Sequence, residues 1–405
     1  MKALRSRVYL LVLSLAGIVC QPDVFAQDSQ ILTGIDVLEA EHFSPLVGKN
    51  VGLITNQTGI DRHWNSTIDV LYHAKGVHLV ALFSPEHGIR GTADTRVASS
   101  VDSLTRLPIY SLYGETRRPT EQMLKGVDVF VFDVQDIGTR FYTYIGTMKN
   151  CMEEAAKHDI KFVVLDRPNP INGVQVEGPV LDSSRLYELG GVFPLPIRHG
   201  MTIGELANMF NREGKIGVNL EVVKMKGWKR SLWFDQTGLP WVPPSPKMKN
   251  LYEATLYPGF GLLERTNVEH KKGVERPFEE LGAPWVDGVQ LAEELNRRRN
   301  QGVYFVPIRF TPPSDQYAGQ LCEGVAVDVT DRNIFRPVAC GIEVLQALYK
   351  LYPAKFNVDR ILHLTRSEEL IEQIKKQVPL DDIVKSWQRR LAEFKMLRDR
   401  YLLYE

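Results

Sequence analysis

The chain is short of cysteine, carries no net charge and, past its first twenty residues, contains no long apolar run. Four cysteines in 405 residues cannot staple a scaffold. Cys322 and Cys340 could pair in an oxidising compartment, or could stay buried as free thiols like Cys151. The nine histidines are scattered, and none stands at a spacing such as His-x-x-x-His beside a carboxylate, so no metal is expected. Forty-nine basic side chains balance forty-nine acidic ones. Bulk charge therefore gives no reason to expect nucleic acid or an acidic surface as partner, local basic patches such as 224–230 aside. No Gly-x-Gly-x-x-Gly follows the first apolar run, where Asn56-Gln57-Thr58-Gly59 stands instead, so no dinucleotide cofactor is expected. No Gly-x-Ser-x-Gly elbow is present, which counts against a serine esterase or amidase.

The first twenty-six residues read as a targeting segment. Lys2, Arg5 and Arg7 precede a twelve-residue apolar stretch, Val8 to Val19, and Val24-Phe25-Ala26 offers a cleavage site before Gln27. The stretch is too short for a comfortable membrane span. Cys20 invites a lipoprotein reading, but Val19 precedes it where a small residue is usual, so simple cleavage is favoured. The expected location is periplasmic or secreted.

The remainder, 44% apolar and 24% charged overall, has the composition of a soluble globular protein long enough for two domains. Apolar runs near 51–54, 78–83, 108–112, 127–134 and 162–165 alternate with stretches of helical spacing at 66–74, 120–125 and 139–158. That alternation predicts an α/β fold with a Rossmann-like, doubly wound parallel sheet. A proline-rich stretch at 237–250 reads as a domain border, with a second domain beyond it.

Four of the runs end in polar clusters: Leu53 to Gly59, Phe83 to Gly91, Asp133 to Tyr142 and Asp166 to Gly173. Open parallel sheets bind ligands past the carboxyl ends of their strands, so the four clusters are expected to build one site. Glu86 is the strongest acid candidate, since a tight turn before Gly88 would aim its carboxylate at the sheet edge. A solvated loop carboxylate is the alternative, and His87 beside it could be structural. Asp136 could equally cap a helix starting near Thr139. Arg140 suits a carboxylate or phosphate clamp but could simply brace Asp136. Arg167, Asn169 and Glu177 lie on a proline-fixed loop, Arg198 and His199 on the 193–200 loop. Glu264, Thr266 and Asn267 follow a Tyr257-Pro258-Gly259 turn of the second domain. Two carboxylates flanking a cleft among Asn, Tyr, His and Arg fit glycoside hydrolysis. The same inventory fits carbohydrate binding without catalysis.

These motifs resemble the NamZ exo-β-N-acetylmuramidase family. The resemblance runs through Leu-Ile-Thr-Asn-Gln-Thr-Gly (53–59), Phe-Ser-Pro-Glu-His-Gly (83–88), Phe-Asp-Val-Gln-Asp-Ile-Gly-Thr-Arg-Phe-Tyr (132–142), Leu-Asp-Arg-Pro-Asn-Pro-Ile-Asn-Gly (165–173) and Ile-Arg-His-Gly-Met-Thr (197–202), and continues to Gly-Ala-Pro-Trp (282–285). It implies a Rossmann-like domain over 27–250, a smaller α/β domain over 251–405 that closes a cleft, and release of terminal N-acetylmuramic acid from peptidoglycan fragments, without cofactor or metal. It implies Glu86 as general acid, with the second carboxylate open among Asp133, Asp136 and Glu264. Glu86, His87, Asp136 and Glu264 are then the catalytic candidates. Asn56, Arg90, Asp133, Arg140, Tyr142, Arg167, Asn169, Arg198, His199 and Asn267 are the binding candidates. Arg140 is the expected clamp for the lactyl carboxylate, ahead of Arg90, Arg167 and Arg198. The chain departs from the family at 264–274, where Arg265 replaces a glycine and bulky charged residues follow Asn267. A carbohydrate-binding protein of the same fold that has lost catalysis is the alternative reading.

Overall fold

The computed structural model of the protein describes residues 30–91, 98–270 and 273–405. The expected signal segment, and Lys271-Lys272 of the divergent stretch, lie outside the described residues. Ten strands are described: β1 (Asn50–Thr55), β2 (His78–Ser84), β3 (Ser100–Val101), β4 (Pro108–Ser111), β5 (Val129–Asp133), β6 (Lys161–Leu165), β7 (Leu220–Val223), β8 (Glu280–Ala283), β9 (Tyr304–Phe310) and β10 (Cys322–Asp328). The first seven form one sheet in the order β3-β4-β2-β1-β5-β6-β7, parallel except for the short edge strand β3. Numbered among themselves, the six parallel strands run 3-2-1-4-5-6. That is the doubly wound order, with its topological switch between β1 and β5.

Side-chain alternation divides the core between the two faces. Val51, Leu53, Val129, Val131, Val163 and Leu165 pack on one face against α1 (Gly34–Ala40) and α2 (Thr67–His73). Ile54, Phe130, Phe132, Phe162 and Val164 pack on the other against α4 (Tyr144–Lys157) and α5 (Ile203–Glu213). A register shift opposite Val51/Gly52 lets Leu79 and Leu82 face one side while Ala81 and Phe83 face the other. Phe83 and Phe130 meet edge to face at 4.9 Å. Each such fully buried ring contributes roughly 1.5–3 kcal/mol. α3 (Glu121–Leu124) is one turn. α5 starts with the capping box expected from Thr202 and Glu205.

The smaller domain is an antiparallel sheet, β8-β10-β9, with α6 (Leu251–Phe260), α7 (Gly288–Arg297) and α8 (Pro337–Leu351), followed by α9 (Leu362–Thr365), α10 (Glu368–Lys375) and α11 (Leu380–Arg398). Helices α6 and α8 cross backbone to backbone. A Cβ at Gly259 would sit 1.8 Å from the Pro337 carbonyl oxygen, and one at Gly341 would sit 2.5 Å from the Gly259 carbonyl oxygen. Tyr257-Pro258-Gly259, expected as a turn, is therefore the last turn of α6, whose packing on α8 holds it helical. Cys151, Cys322 and Cys340 are buried free thiols. Among the described residues no helix is long and apolar enough to cross a membrane.

Candidate active site

Strand β2 ends at Ser84, and Pro85 leads into a turn in which His87 and Gly88 both take left-handed backbone conformations, φ 70° and 76°. The turn swings Glu86 into a cavity of about 340 Å³ beyond the sheet's carboxyl edge. Tyr113, just past β4, and Phe141, Tyr142 and Thr143, ahead of α4, supply adjoining walls. The proline-rich border contributes Ser245, Lys247 and Met248. The smaller domain contributes Tyr257, Glu264, Arg265, Phe278 and His363. Glu86 and Glu264 thus reach one cavity from different domains.

Hydrogen bonding fixes both carboxylates. Thr143 Oγ1 donates to Glu86 Oε2 at 2.6 Å. Tyr257 Oη donates to Glu264 Oε1 at 3.3 Å. Tyr257 is itself wedged edge to face against Phe141, Tyr142 and Phe278, with ring centroids 5.3, 5.8 and 5.0 Å away. Burial, and then the Glu264 charge, push its phenol well above the ordinary range. Burial, the Glu86 charge and a hydrogen bond to Glu86 push Tyr113 up to about 12. Both phenols therefore stay protonated at neutral pH, as donors beside the carboxylates.

Helix α4 begins at Tyr144, later than the Thr139 expected from the apolar spacing. Gly138 has φ 83°, and Thr139 bridges to Arg198 instead of entering the helix. Asp136 is therefore not the cap of α4. Its Oδ2 accepts from the Gly138 amide at 2.7 Å and lies 3.4 Å from His199 Nε2.

Of the fourteen candidate residues, Glu86, His87, Tyr142 and Glu264 share the cavity lining. Most of the others are buried and outside that lining. Asp133 pairs with Arg167 through Nε–Oδ1 at 2.5 Å and Nη2–Oδ2 at 2.8 Å, and accepts from Thr67 Oγ1. Asn56 Oδ1 accepts from the Thr58 amide and hydroxyl. Asn169 ties Met201 O to Ile171 N. Arg198 donates to Gln175 and to Ile171 O, and lies over the Trp233 ring at 5.5 Å. Arg140 is 1% exposed and donates from Nη2 to Leu364 O at 3.0 Å. Burial lowers its pKa to about 10. It does not line the cavity with Glu86. Arg90 is outside as well, 3.3 Å from Asp102 Oδ1. Asn267 clips the smaller domain together, donating to Lys355 O and accepting from Asn357 N.

Several cavity residues escaped the sequence reading: Tyr113, Arg117, Thr143, Tyr187, Lys247, Tyr257 and His363; Arg265, noted there only as a departure from the family, also lines the cavity. The run at 108–112 marked a strand end like the other four, and its following Tyr113 was available to the same logic. His363, three helices from the border, had no local signal. A larger cavity of about 680 Å³, lined by Glu177, Arg336, Glu343 and Trp387 among others, holds neither Glu86 nor Glu264. Among the described residues no three His, Cys, Asp or Glu side chains gather as a metal site.

The geometry has close relatives. A Bacillus subtilis strain 168 protein described as peptidoglycan beta-N-acetylmuramidase NamZ is 43% identical over 384 residues, covering 94% of this chain and 92% of that protein. Two crystal structures of DUF1343 family proteins from Bacteroides fragilis superpose with TM-scores of 0.87 and 0.75, at 41% and 30% identity. Each covers 93% of this chain and 99% of its own. The family model "Exo-beta-N-acetylmuramidase NamZ, N-terminal" matches residues 51–252, and its C-terminal counterpart matches residues 255–404. With both halves matched in order, this protein belongs to the exo-β-N-acetylmuramidase NamZ family.

Proposed function

We propose that the protein is an exo-acting glycoside hydrolase that releases terminal N-acetylmuramic acid from peptidoglycan fragments. The observation that carries the chemistry is the meeting of Glu86 and Glu264 in one cavity, each held by a hydroxyl donor. Glycoside hydrolysis needs one carboxyl group to protonate the leaving oxygen and a second to activate water or attack the anomeric carbon. Glu86 takes the first role, because it sits on the strand-end turn that lines the cavity, with Thr143 fixing its Oε2. Glu264, on the opposing domain, takes the second. Asp133 is neutralised by Arg167, and Asp136 lies outside the cavity lining, which supports Glu264 over both.

A cavity of about 340 Å³ is at the small end of ligand sites. That size suits a terminal sugar better than the interior of a long glycan, which supports exo action. Cleavage after Ala26 delivers the mature chain to the periplasm or beyond, where peptidoglycan fragments occur. Incubation with a chromogenic β-N-acetylmuramide and the matching N-acetylglucosaminide tests the reading. Cleavage of the muramide is expected. Cleavage of the glucosaminide alone, or binding without cleavage, would overturn it.

A further inference from the structure

Neither Arg140 nor Arg198 lines the cavity, yet its wall does carry positive charge in Arg117, Lys247 and Arg265. Arg117 is matched by Glu188 at 2.9 Å. Arg265 differs from Arg117 in three ways. It is exposed, and it makes no ion pair or hydrogen bond with any described residue. Its backbone is left-handed, with φ 68°, a conformation in which a Cβ crowds the following carbonyl. The turn that imposes this is well tied. Glu264 N donates to Gly261 O at 3.0 Å, Thr266 N donates to Leu263 O at 2.9 Å, and Thr266 Oγ1 donates to the same oxygen at 2.6 Å. A left-handed arginine at the apex of such a turn, next to Glu264, is local strain at a functional site. Its charge acts across the cavity, where it opposes the burial-driven rise of the Tyr113 phenol and adds to the lowering that burial imposes on the His363 imidazole.

We propose that Arg265 is a specificity-determining residue whose guanidinium binds a carboxylate carried on the sugar in the Glu86 cavity. The inference rests on the muramidase reading and names how that site tells its substrate from a neutral analogue. N-acetylmuramic acid differs from N-acetylglucosamine by an ether-linked lactic acid, and that group is anionic. In a bare muramide the carboxylate is the lactyl group's own. In a muramyl peptide the lactyl carboxyl is an amide, and the peptide supplies the carboxylate. Arginine suits either through two parallel N–H bonds, and a rim position leaves room for both.

The test is calorimetric binding of N-acetylmuramic acid, a muramyl dipeptide and N-acetylglucosamine to the mature protein and to Arg265→Gly and Arg265→Lys, beside kcat and KM on the chromogenic muramide. Glycine accepts the left-handed backbone, so Arg265→Gly should melt no lower than the wild type. Its affinity for the anionic sugar should fall about 10- to 100-fold, the range for a hydrogen bond to a charged group, and KM should rise more than kcat falls. Arg265→Lys should recover part of the loss. A loss on N-acetylmuramic acid assigns the lactyl carboxylate, and a loss on the dipeptide alone assigns the peptide's. Unchanged affinity for both anionic ligands, or an equal loss for N-acetylglucosamine, would overturn the proposal. If the wild type binds N-acetylmuramic acid through Arg265 but cleaves no glycoside, the hydrolase reading fails and this assignment stands.

Discussion

Thr143 occupies the N-cap position of α4, but its hydroxyl makes no cap to its own helix and donates instead to Glu86 Oε2 at 2.6 Å. An N-cap hydroxyl is usually worth about 1 kcal/mol to its helix. Here that donor fixes a carboxylate at the helix N-terminus, where the helix field also favours negative charge.

Thr143→Val keeps the shape and removes the donor. Helix α4 loses little, since the hydroxyl did not cap it, and the melting temperature should barely move. Turnover of the muramide should fall by about tenfold or more, the usual worth of a hydrogen bond to a charged group. A positioning role predicts a fall in kcat with KM nearly constant, and a steady-state comparison of Thr143→Val with the wild type decides it.

Tyr257→Phe tests the other wall. The ring contacts with Phe141, Tyr142 and Phe278 survive, and only the hydroxyl on Glu264 is lost. Thermal melting should be little changed, while turnover drops roughly 10- to 100-fold. Wild-type turnover in this variant would show that Glu264 needs no positioning from Tyr257.

The Asp133–Arg167 pair should behave as scaffold. Asp133 is fully buried, and Arg167→Met would leave its carboxylate with Thr67 as the remaining side-chain donor. Removing one partner of a buried pair typically costs about 3–5 kcal/mol. Urea unfolding should show a loss of that size, and any fall in activity should track the folded fraction.

Strand ends and polar clusters in the sequence led to the sheet, its parallel order and the turn that carries Glu86, because those features are local and periodic. The same signals could not tell a cavity wall from a buried position outside it. Asp133, Arg167 and Asn169 stand at strand ends as conspicuously as Glu86 does. Whether such a group faces a ligand or its own neighbour is settled by long-range pairing, as in Arg140 reaching Leu364 across the domain border. Lys247 and His363 were illegible for the same reason. Their place depends on how the proline-rich border and α9 fold back over the first sheet. The late start of α4 came from Gly138 and the Thr139–Arg198 bridge, a tertiary contact that overrides apolar spacing.

Stability should depend on pH through Asp166. Burial pushes its carboxyl up, hydrogen bonds from Tyr404, Gly204 and Thr202 oppose that, and the Glu205 charge adds to it, leaving it at about 7. An unfolded aspartate titrates near 4. Between about pH 4 and 7 the unfolded chain therefore gives up this proton first, and stability falls as pH rises, levelling above 7. Glu253, also pushed up to about 7 by burial, contributes in the same sense. Asp166→Asn should flatten this decline in melting temperature against pH. An unaltered slope would place it on other groups.

The central claim is that Glu86 donates the proton in glycosidic cleavage. Its most direct test is the rate of release of N-acetylmuramic acid from a chromogenic β-N-acetylmuramide by the wild type and by Glu86→Gln, at matched folded protein. Glutamine keeps the shape and cannot act as the acid, so turnover should fall by about 10²–10⁴ with the melting curve preserved. A folded Glu86→Gln enzyme that turns the muramide over at a near-normal rate would contradict the account.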